Sequence, residues 1–475
     1  MHKRFYITTP IFYPNARSHL GHAYTATIAD ILARYRRAVG DEVYFLTGVD
    51  ENTEKVARAA RAAGQETDAY LDSVVSSFKD LFSEKKLNIS HDQFIRTSDE
   101  KIHWPGAQAL WRKLVEAGDI YSSSYEGLYC VGHEAFVTEK DLVDGKCPDH
   151  NESPERLKET NYFFRLSKYT NEIKKRIESN ELEIIPVARK NEILALLDRG
   201  LEDVSFSRPA DKVSVGIPVP GDQTQKMYVW CDALTNYISA LGYGRDDALF
   251  KKFWPADVHI IGKDILRFHA GIWPGMLLSA GLPLPKKILV HGFITSGGKK
   301  MSKTLGNVID PDALIEEYGG EAVRYFLARH ISPFEDGDIT LASFKEAYNA
   351  DLANGLGNLV SRIMKMAQEN ITTPSPYGRH PSSTEEGMLE SYNIQAYAEY
   401  VSQKVTRLDK RIQETEPFKL VKRDKAAGQK IISELVAELS RIARLLEPII
   451  PVTAEKIREA IAANKMPVAP LFPRK

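Results

Sequence analysis

Two short stretches carry the residue types that handle phosphate. Residues 19–22 read His-Leu-Gly-His, and residues 300–304 read Lys-Met-Ser-Lys-Thr, directly after the glycine-bearing run Thr295-Ser296-Gly297-Gly298-Lys299. A strand-to-helix junction aims free N–H groups and a partial positive charge at its guest, and phosphate is the usual guest. In that setting Gly21 lets a base or ribose approach the backbone, while His19 and His22 donate to phosphate oxygens as charge grows in a transition state. Lys300 and Lys303, on a glycine-rich loop, suit a pyrophosphate that passes from bound nucleotide to leaving group. Each stretch alone also has a plainer reading, a helix cap for the histidines and a solvated turn for the lysines. A Walker P-loop is a poor match, because Ser302 and not a glycine stands immediately before Lys303.

The elements around these residues follow from hydrophobic period. "RFYITTPI" reads as a strand and "TATIADILARYRRAV" as a helix; "EVYFLTGVD" is a second buried strand ending in Asp50, and "TEKVARAARAAG" a helix with Gly64 past its end. Strand, helix, strand, helix implies a parallel sheet. From about Gly127 to Asp211 the pattern breaks into short strands and turns, which marks an insertion, and it resumes at "MYVWCDALTNYISAL" and "VHIIGKDILRFHAGIWP". From roughly Ser343 onward long amphipathic segments predict a helix bundle, with "TTPSPYGRHPSSTEEG" as an exposed loop inside it.

Length and composition set the outer bounds. With 475 residues, 43% hydrophobic and 27% charged, the chain predicts about two to four domains. A net charge of −1 excludes a globally basic nucleic-acid binder but not a local basic patch. Three cysteines, Cys130, Cys147 and Cys231, are too few and odd for a disulfide framework and predict a reducing, cytoplasmic setting. No apolar run approaches the roughly 20 residues of a membrane span, and no secretory leader pattern is present. Cys231 reads as a small buried residue. The pattern Cys130-x-x-His133, thirteen residues, then Cys147-x-x-His150 suits a tetrahedral structural zinc site.

The early "HLGH" and late "KMSKT", on opposite halves of a split α/β region, resemble the paired signatures of class I aminoacyl-tRNA synthetases. "YITTPIFYPNARSHLGHAYT", "FLTGVDE", "GIPVPGD", "YVWCDALTNY", "IGKDILRFHAGIWP", "HGFITSGGKKMSKTLGN" and "PLFPRK" narrow the resemblance, over essentially the whole chain, to the methionyl-tRNA synthetase family. The resemblance implies an α/β plus all-α architecture. Residues 1–115 and 226–320 would be the halves of a split Rossmann-type catalytic domain, 116–225 a connective insertion with the zinc-type knuckle, 321–345 a stem-contact linker and 346–475 a helical anticodon-binding domain.

It implies a two-step reaction: L-methionine and ATP form methionyl-adenylate and pyrophosphate, and the methionyl group passes to the terminal ribose of tRNA(Met), the initiator included. Carried over residue by residue, His19, His22, Lys300 and Lys303 act on the phosphates, with Mg²⁺ accompanying ATP. Gly21, Gly262, Asp264, His291, Gly292 and Ile294 lie around the nucleotide. Ile11, Tyr13, Trp230, Ala233, Leu234, Tyr237, Ile265, His269 and Trp273 line the methionine pocket, and Asp50 pairs with the substrate ammonium. A flexible, polarisable thioether suits such an aromatic wall.

Asn358 and Arg362, on one helical face, and Phe418 would read the anticodon, with Lys404, Arg407, Lys410, Arg411, Lys419, Lys422 and Arg423 as the local basic patch. This chain departs from the family pattern at His133, where many members have cysteine; at Phe418, where tryptophan is usual; at Thr304 for serine; and in "DENTEK" for the commoner "DEHGEK". Competing readings are another class I synthetase, or a relative that binds tRNA without catalysis. The insertion is too short for the large editing domain of the branched-chain enzymes, and the intact His19, His22, Lys300 and Lys303 speak against a silent relative. With nothing after the last helix to build an appended β-barrel, and no heptad seam, a monomer is expected.

Overall fold

The strand Arg4–Phe12 (β1) is buried at nearly every position rather than at every second one, as expected for a strand covered on both faces of a parallel sheet. In this computed structural model, which describes residues 3–130, 135–137, 139–148, 151–213, 215–227, 229–301, 307–372 and 383–475, β1 lies inside a six-stranded sheet. The others are β2 (Glu42–Val49), β3 (Gln93–Arg96), β4 (Glu183–Ile185), β5 (Val258–Gly262) and β6 (Lys287–His291), in the order β3-β2-β1-β5-β6-β4. Parallel pairing joins β3 to β2, β2 to β1, β1 to β5 and β6 to β4. The register between β1 and β2 slips between Thr8 and Ile11, where Pro10 has no N–H to give the ladder. The order runs outward in two directions from β1 and β5, so the carboxyl ends of these strands form the topological switch at which open α/β sheets bind ligands.

The chain divides into two compact units, one of residues 1–18, 41–79 and 91–290, the other of residues 19–40, 80–90 and 291–475. The first holds the sheet and a core that includes Tyr6, Leu46, Trp111, Phe164, Phe206 and Trp254. The stretch expected as an insertion builds an antiparallel sheet of Ala135–Val137, Ile120–Cys130, Glu155–Phe164 and Val204–Ser205, in that order. It is not wholly apart from the main sheet, because β4 comes from its middle and pairs with β6 as the edge strand. A three-residue strand carries too little pattern to have revealed this.

The second unit opens with the helix Leu20–Ala38 and continues with the helices Gly320–His330, Asn358–Asn370, Ile394–Thr415, Pro417–Arg423, Lys425–Leu446 and Pro451–Ala463. A fully buried Arg324 binds Asp30 at 2.7 Å and donates to the carbonyls of Leu87, Pro448 and Ile449 at 2.7–2.9 Å. One turn away, Glu321 accepts from the backbone N–H groups of Val452 and Thr453, both at 2.7 Å, at the start of the last helix. A carboxylate there meets unsatisfied donors and the positive end of the helix. The segment expected as a long loop lies partly outside the described residues (373–382), while Ser383–Glu390 forms a helix instead. The final residues dock on the unit: Phe472 is buried, and Tyr348 donates its hydroxyl to the Pro473 carbonyl at 2.8 Å. Among the described residues no helix is long and apolar enough to cross a membrane.

Candidate active site

In the second unit His19 is the N-cap of the helix Leu20–Ala38. Its Nδ1 accepts from the Gly21 backbone N–H at 3.1 Å, while the His19 N–H donates to His22 Nδ1 at 3.2 Å. The two rings stack with centroids 3.7 Å apart at 21°. A ring nitrogen that accepts an N–H bears no proton, so each neutral imidazole carries its proton on Nε2. Both rings are thereby fixed as Nε2–H donors. Desolvation by the surrounding protein lowers His19 to about 4, although the residue as a whole is exposed. Burial, then repulsion from His19, puts His22 well below the ordinary histidine range. Gly21 is required by this cap, since a Cβ there would stand 2.9 Å from His19 Cε1 and 3.1 Å from its Nδ1.

His291, in the same unit, approaches Thr25 Oγ1 with Nε2 at 2.8 Å and the Gly292 carbonyl with Nδ1 at 2.8 Å, which ties it to the helix that His19 caps. Gly292 packs on backbone: a Cβ would fall 2.2 Å from the Glu335 carbonyl oxygen. Ile294–Ser296 and Lys299–Lys300 pair as a hairpin whose two-residue turn, Gly297-Gly298, has φ of 62° and 70°, the conformation that a mirror-image hairpin turn demands and glycine supplies. Asp338 Oδ1 accepts from Gly298 N and Thr295 Oγ1, both at 2.8 Å. The hairpin thus leads the chain to Lys300 and Met301; the Lys300 side chain and all of Lys303 and Thr304 lie outside the described residues.

The first unit gathers the residues expected around an amino acid. Asp50 follows β2, is buried, donates its N–H to the Phe12 carbonyl at 2.9 Å and accepts from Thr97 Oγ1 at 3.3 Å. Its neighbour Glu51 is engaged by the Arg96 guanidinium at 2.8 Å. The helix Val229–Ser239 supplies Trp230, Ala233, Leu234 and Tyr237, all buried. The turn after β5 supplies Ile265, His269 and Trp273, with Gly262 half-buried and Asp264 exposed. Trp230 stacks on Phe268 at 3.6 Å between centroids. Phe268 was absent from the expected wall, although it stands next to His269 in the sequence.

Tyr237 Oη lies 2.7 Å from His269 Nε2, and His269 Nδ1 lies 3.0 Å from the Ile265 carbonyl. A carbonyl only accepts, so Nδ1 holds the proton and Tyr237 donates to Nε2. Burial keeps His269 neutral, with a pKa near about 4. Trp273 is fully buried and its Nε1 has no hydrogen-bond partner among the described residues, as expected of a group that meets a ligand or water. Ile11 is partly buried against the same core, and Tyr13 lies under Lys55 Nζ at 3.8 Å.

Of the expected metal ligands, Cys130 and Cys147 are buried and form one small cluster with Val137. His133 and His150 lie outside the described residues, and among the described residues no group of three or more His, Cys, Asp and Glu is gathered as a metal site. Two buried thiols brought together, each followed three residues on by a histidine, have donor chemistry that suits zinc. Cys231 is buried as expected, which pushes its thiol up. In the second unit Asn358 and Arg362 lie one turn apart on Asn358–Asn370, and Phe418 is 44% exposed on its short helix. Arg362 is ion-paired with Asp409, a partner 47 residues away that spacing could not reveal.

Comparison with known proteins bears on the same residues. The family model described as "tRNA synthetases class I (M)" matches residues 5–155 and 149–364. The methionine--tRNA ligase of Caldanaerobacter subterraneus subsp. tengcongensis is 43% identical over 485 residues, which cover 98% of this chain and 75% of that protein. That of Thermotoga maritima is 40% identical over 489 residues, 98% of this chain and 76% of that one. Among solved structures, Mycobacterium tuberculosis methionyl-tRNA synthetase in complex with methionyl-adenylate aligns with a TM-score of 0.89 and 36% identity, covering 99% of this chain and 98% of that one.

Proposed function

The chain belongs to the methionyl branch of the class I tRNA synthetases, and from that premise we propose how its residues divide the work. It activates L-methionine with ATP to methionyl-adenylate and charges tRNA with methionine. The observation that carries the assignment of chemistry is the stacked pair of Nε2–H imidazoles at the start of the helix Leu20–Ala38.

In the first step a methionine carboxylate oxygen forms a bond to the α-phosphorus of ATP while the bond to the pyrophosphate oxygen breaks. Phosphoryl transfer of this kind is governed by positioning and by donors aimed at growing charge. His19 and His22 supply two such donors already oriented by their Nδ1 caps, so no reorganisation is needed as charge moves onto the leaving pyrophosphate. Neutral rings with depressed pKa hold this tautomer across the working pH range. Lys300 and Lys303 follow the hairpin turn and neutralise the departing pyrophosphate, which ATP brings with its Mg²⁺. His291, Gly292 and Ile294, with Gly262 and Asp264, hold the nucleoside. Asp50 takes the ammonium, and Trp230, Tyr237, His269 and Trp273, with Ile11, Tyr13, Ala233, Leu234 and Ile265, enclose the thioether side chain.

In the second step a ribose hydroxyl of the tRNA end attacks the methionyl carbonyl and releases AMP. The tRNA for methionine, initiator included, is read by Asn358, Arg362 and Phe418. For Arg362 this requires exchange of Asp409 for a base or phosphate, so part of its affinity is spent on breaking that pair. Zinc would be held by Cys130, Cys147, His133 and His150, where it supplies a structural cross-link when bound. A monomer in the cytosol is the proposed working form, with a light-scattering mass of one chain expected. Methionine-dependent exchange of labelled pyrophosphate into ATP tests the whole reading. Exchange with methionine and not with leucine, isoleucine, valine or cysteine is expected; no exchange with any amino acid would overturn it.

A further inference from the structure

The stretch "DENTEK" departs from its family pattern at Asn52, and the structure gives that residue a task. Val49 and Arg96 are in register across β2 and β3, so the residues that follow them, Asp50 and Thr97, come to lie side by side. Thr97 Oγ1 accepts from the backbone N–H groups of Glu51 at 2.8 Å and Asn52 at 3.3 Å, and donates its own proton to Asp50 Oδ1 at 3.3 Å. The Asn52 side chain, itself buried, then spans to another element. Its Nδ2 donates to the Thr97 carbonyl at 3.0 Å and to Asp232 Oδ2 at 3.0 Å. Both neighbours are acceptors, so the amide is oriented without ambiguity, and both of its protons are used.

Asp232 is fully buried and stands in the first turn of the helix Val229–Ser239, between Trp230 and the pair Ala233 and Leu234. Asn52 therefore connects two buried carboxylates, Asp50 at the end of a central strand and Asp232 at the base of the aromatic wall, through one amide and one hydroxyl. A leucine at position 52 would leave an acceptor unserved on each side, and an aspartate would add repulsion.

We propose that Asn52 is a positioning residue for the substrate α-ammonium, and that the amine is recognised by Asp50 and Asp232 together, held in one network by Asn52 and Thr97. This deepens, and rests on, the reading of the Asp50 side as the methionine site. The test compares, by calorimetry on the whole protein, the binding of methionine and of 4-(methylthio)butanoate, the same molecule without its amino group. Asp232→Asn is expected to weaken methionine about tenfold or more and to leave the amine-free analogue within about twofold. Asn52→Leu is expected to act in the same sense by about fivefold. If both variants weaken the two ligands equally, the residues only shape the cavity and the inference fails. It fails also if Asp232→Asn changes neither. Asp50→Asn separates the levels: if it weakens methionine while Asp232→Asn is silent, only the present inference falls, whereas methionine binding indifferent to Asp50→Asn removes the methionine reading itself. Should Asn52→Leu not fold, Asp232→Asn, which keeps the shape of the side chain, decides.

Discussion

Gly21→Ala offers a sharp separation of stability from catalysis. The new methyl would sit 2.9 Å from His19 Cε1 and 3.1 Å from Nδ1, where ordinary contact is roughly 3.4–4.0 Å. The imidazole must therefore swing off by about half an ångström or more, and it loses the Gly21 N–H that holds Nδ1 as acceptor. Loss of an N-cap costs about 0.5–2 kcal/mol, while replacing a glycine inside a helix by alanine returns about 1 kcal/mol. The two nearly cancel, so the unfolding midpoint should stay within a few degrees of that of the unaltered protein. Catalysis has no such compensation: removing one oriented donor from a developing oxyanion costs on the order of 10²–10³ in rate. Pyrophosphate exchange at saturating methionine and ATP, run beside thermal unfolding, is the assay. A loss of about 100-fold or more in kcat with a nearly unchanged midpoint is expected. Full exchange activity in a folded Gly21→Ala protein would refute the claim that the His19 cap sets the catalytic donors.

Acid should destabilise the fold in a defined window. His103 and His269 are buried and neutral, each lowered to about 4 chiefly by desolvation. Because the unfolded chain binds their protons below about pH 6.5, the stability they contribute is full above that value and is lost as pH falls towards about 4, roughly 1.4 kcal/mol each by about pH 5.5. Urea unfolding at several pH values, with His103→Asn and His269→Asn flattening the dependence, checks this. Arg324→Met should cost about 3–5 kcal/mol by leaving Asp30 buried without its guanidinium, and the double variant with Asp30→Leu should recover part of the loss; denaturant midpoints measure both. Protein never exposed to chelator should contain about one zinc per chain by elemental analysis, reduced to trace amounts in a Cys130→Ser, Cys147→Ser variant. Phe418→Ala should raise the KM for tRNA by about tenfold or more, the worth of one stacked base, with pyrophosphate exchange unchanged.

Much of this protein is legible in the order of its residues. Buried β-strands separated by helices specify a parallel sheet, and the two histidines mark a strand-to-helix junction within it, whereas the run before the lysine pair reads only as a glycine-rich loop and its hairpin is a finding of the structure. Such signals are local: period and turn chemistry act within a few residues, so the order of residues alone displays them. The family resemblance rests on the same kind of short motif, and it named most of the residues that the structure gathers after β2, on the helix Val229–Ser239 and in the turn after β5.

What tertiary structure decided depends on groups far apart in the chain. The edge strand Glu183–Ile185 joins the sheet only because β6 offers it a free ladder, and three residues have no period of their own. The tautomers of His19, His22 and His269 follow from which partner each nitrogen meets. Phe268 under Trp230, Asp409 on Arg362, and the three carbonyls around Arg324 are meetings of distant elements. Asn52 reaches Asp232 across 180 residues of sequence. A side-chain hydrogen bond is decided within a few tenths of an ångström by register and packing, and neither quantity is written in the spacing of residues along a chain.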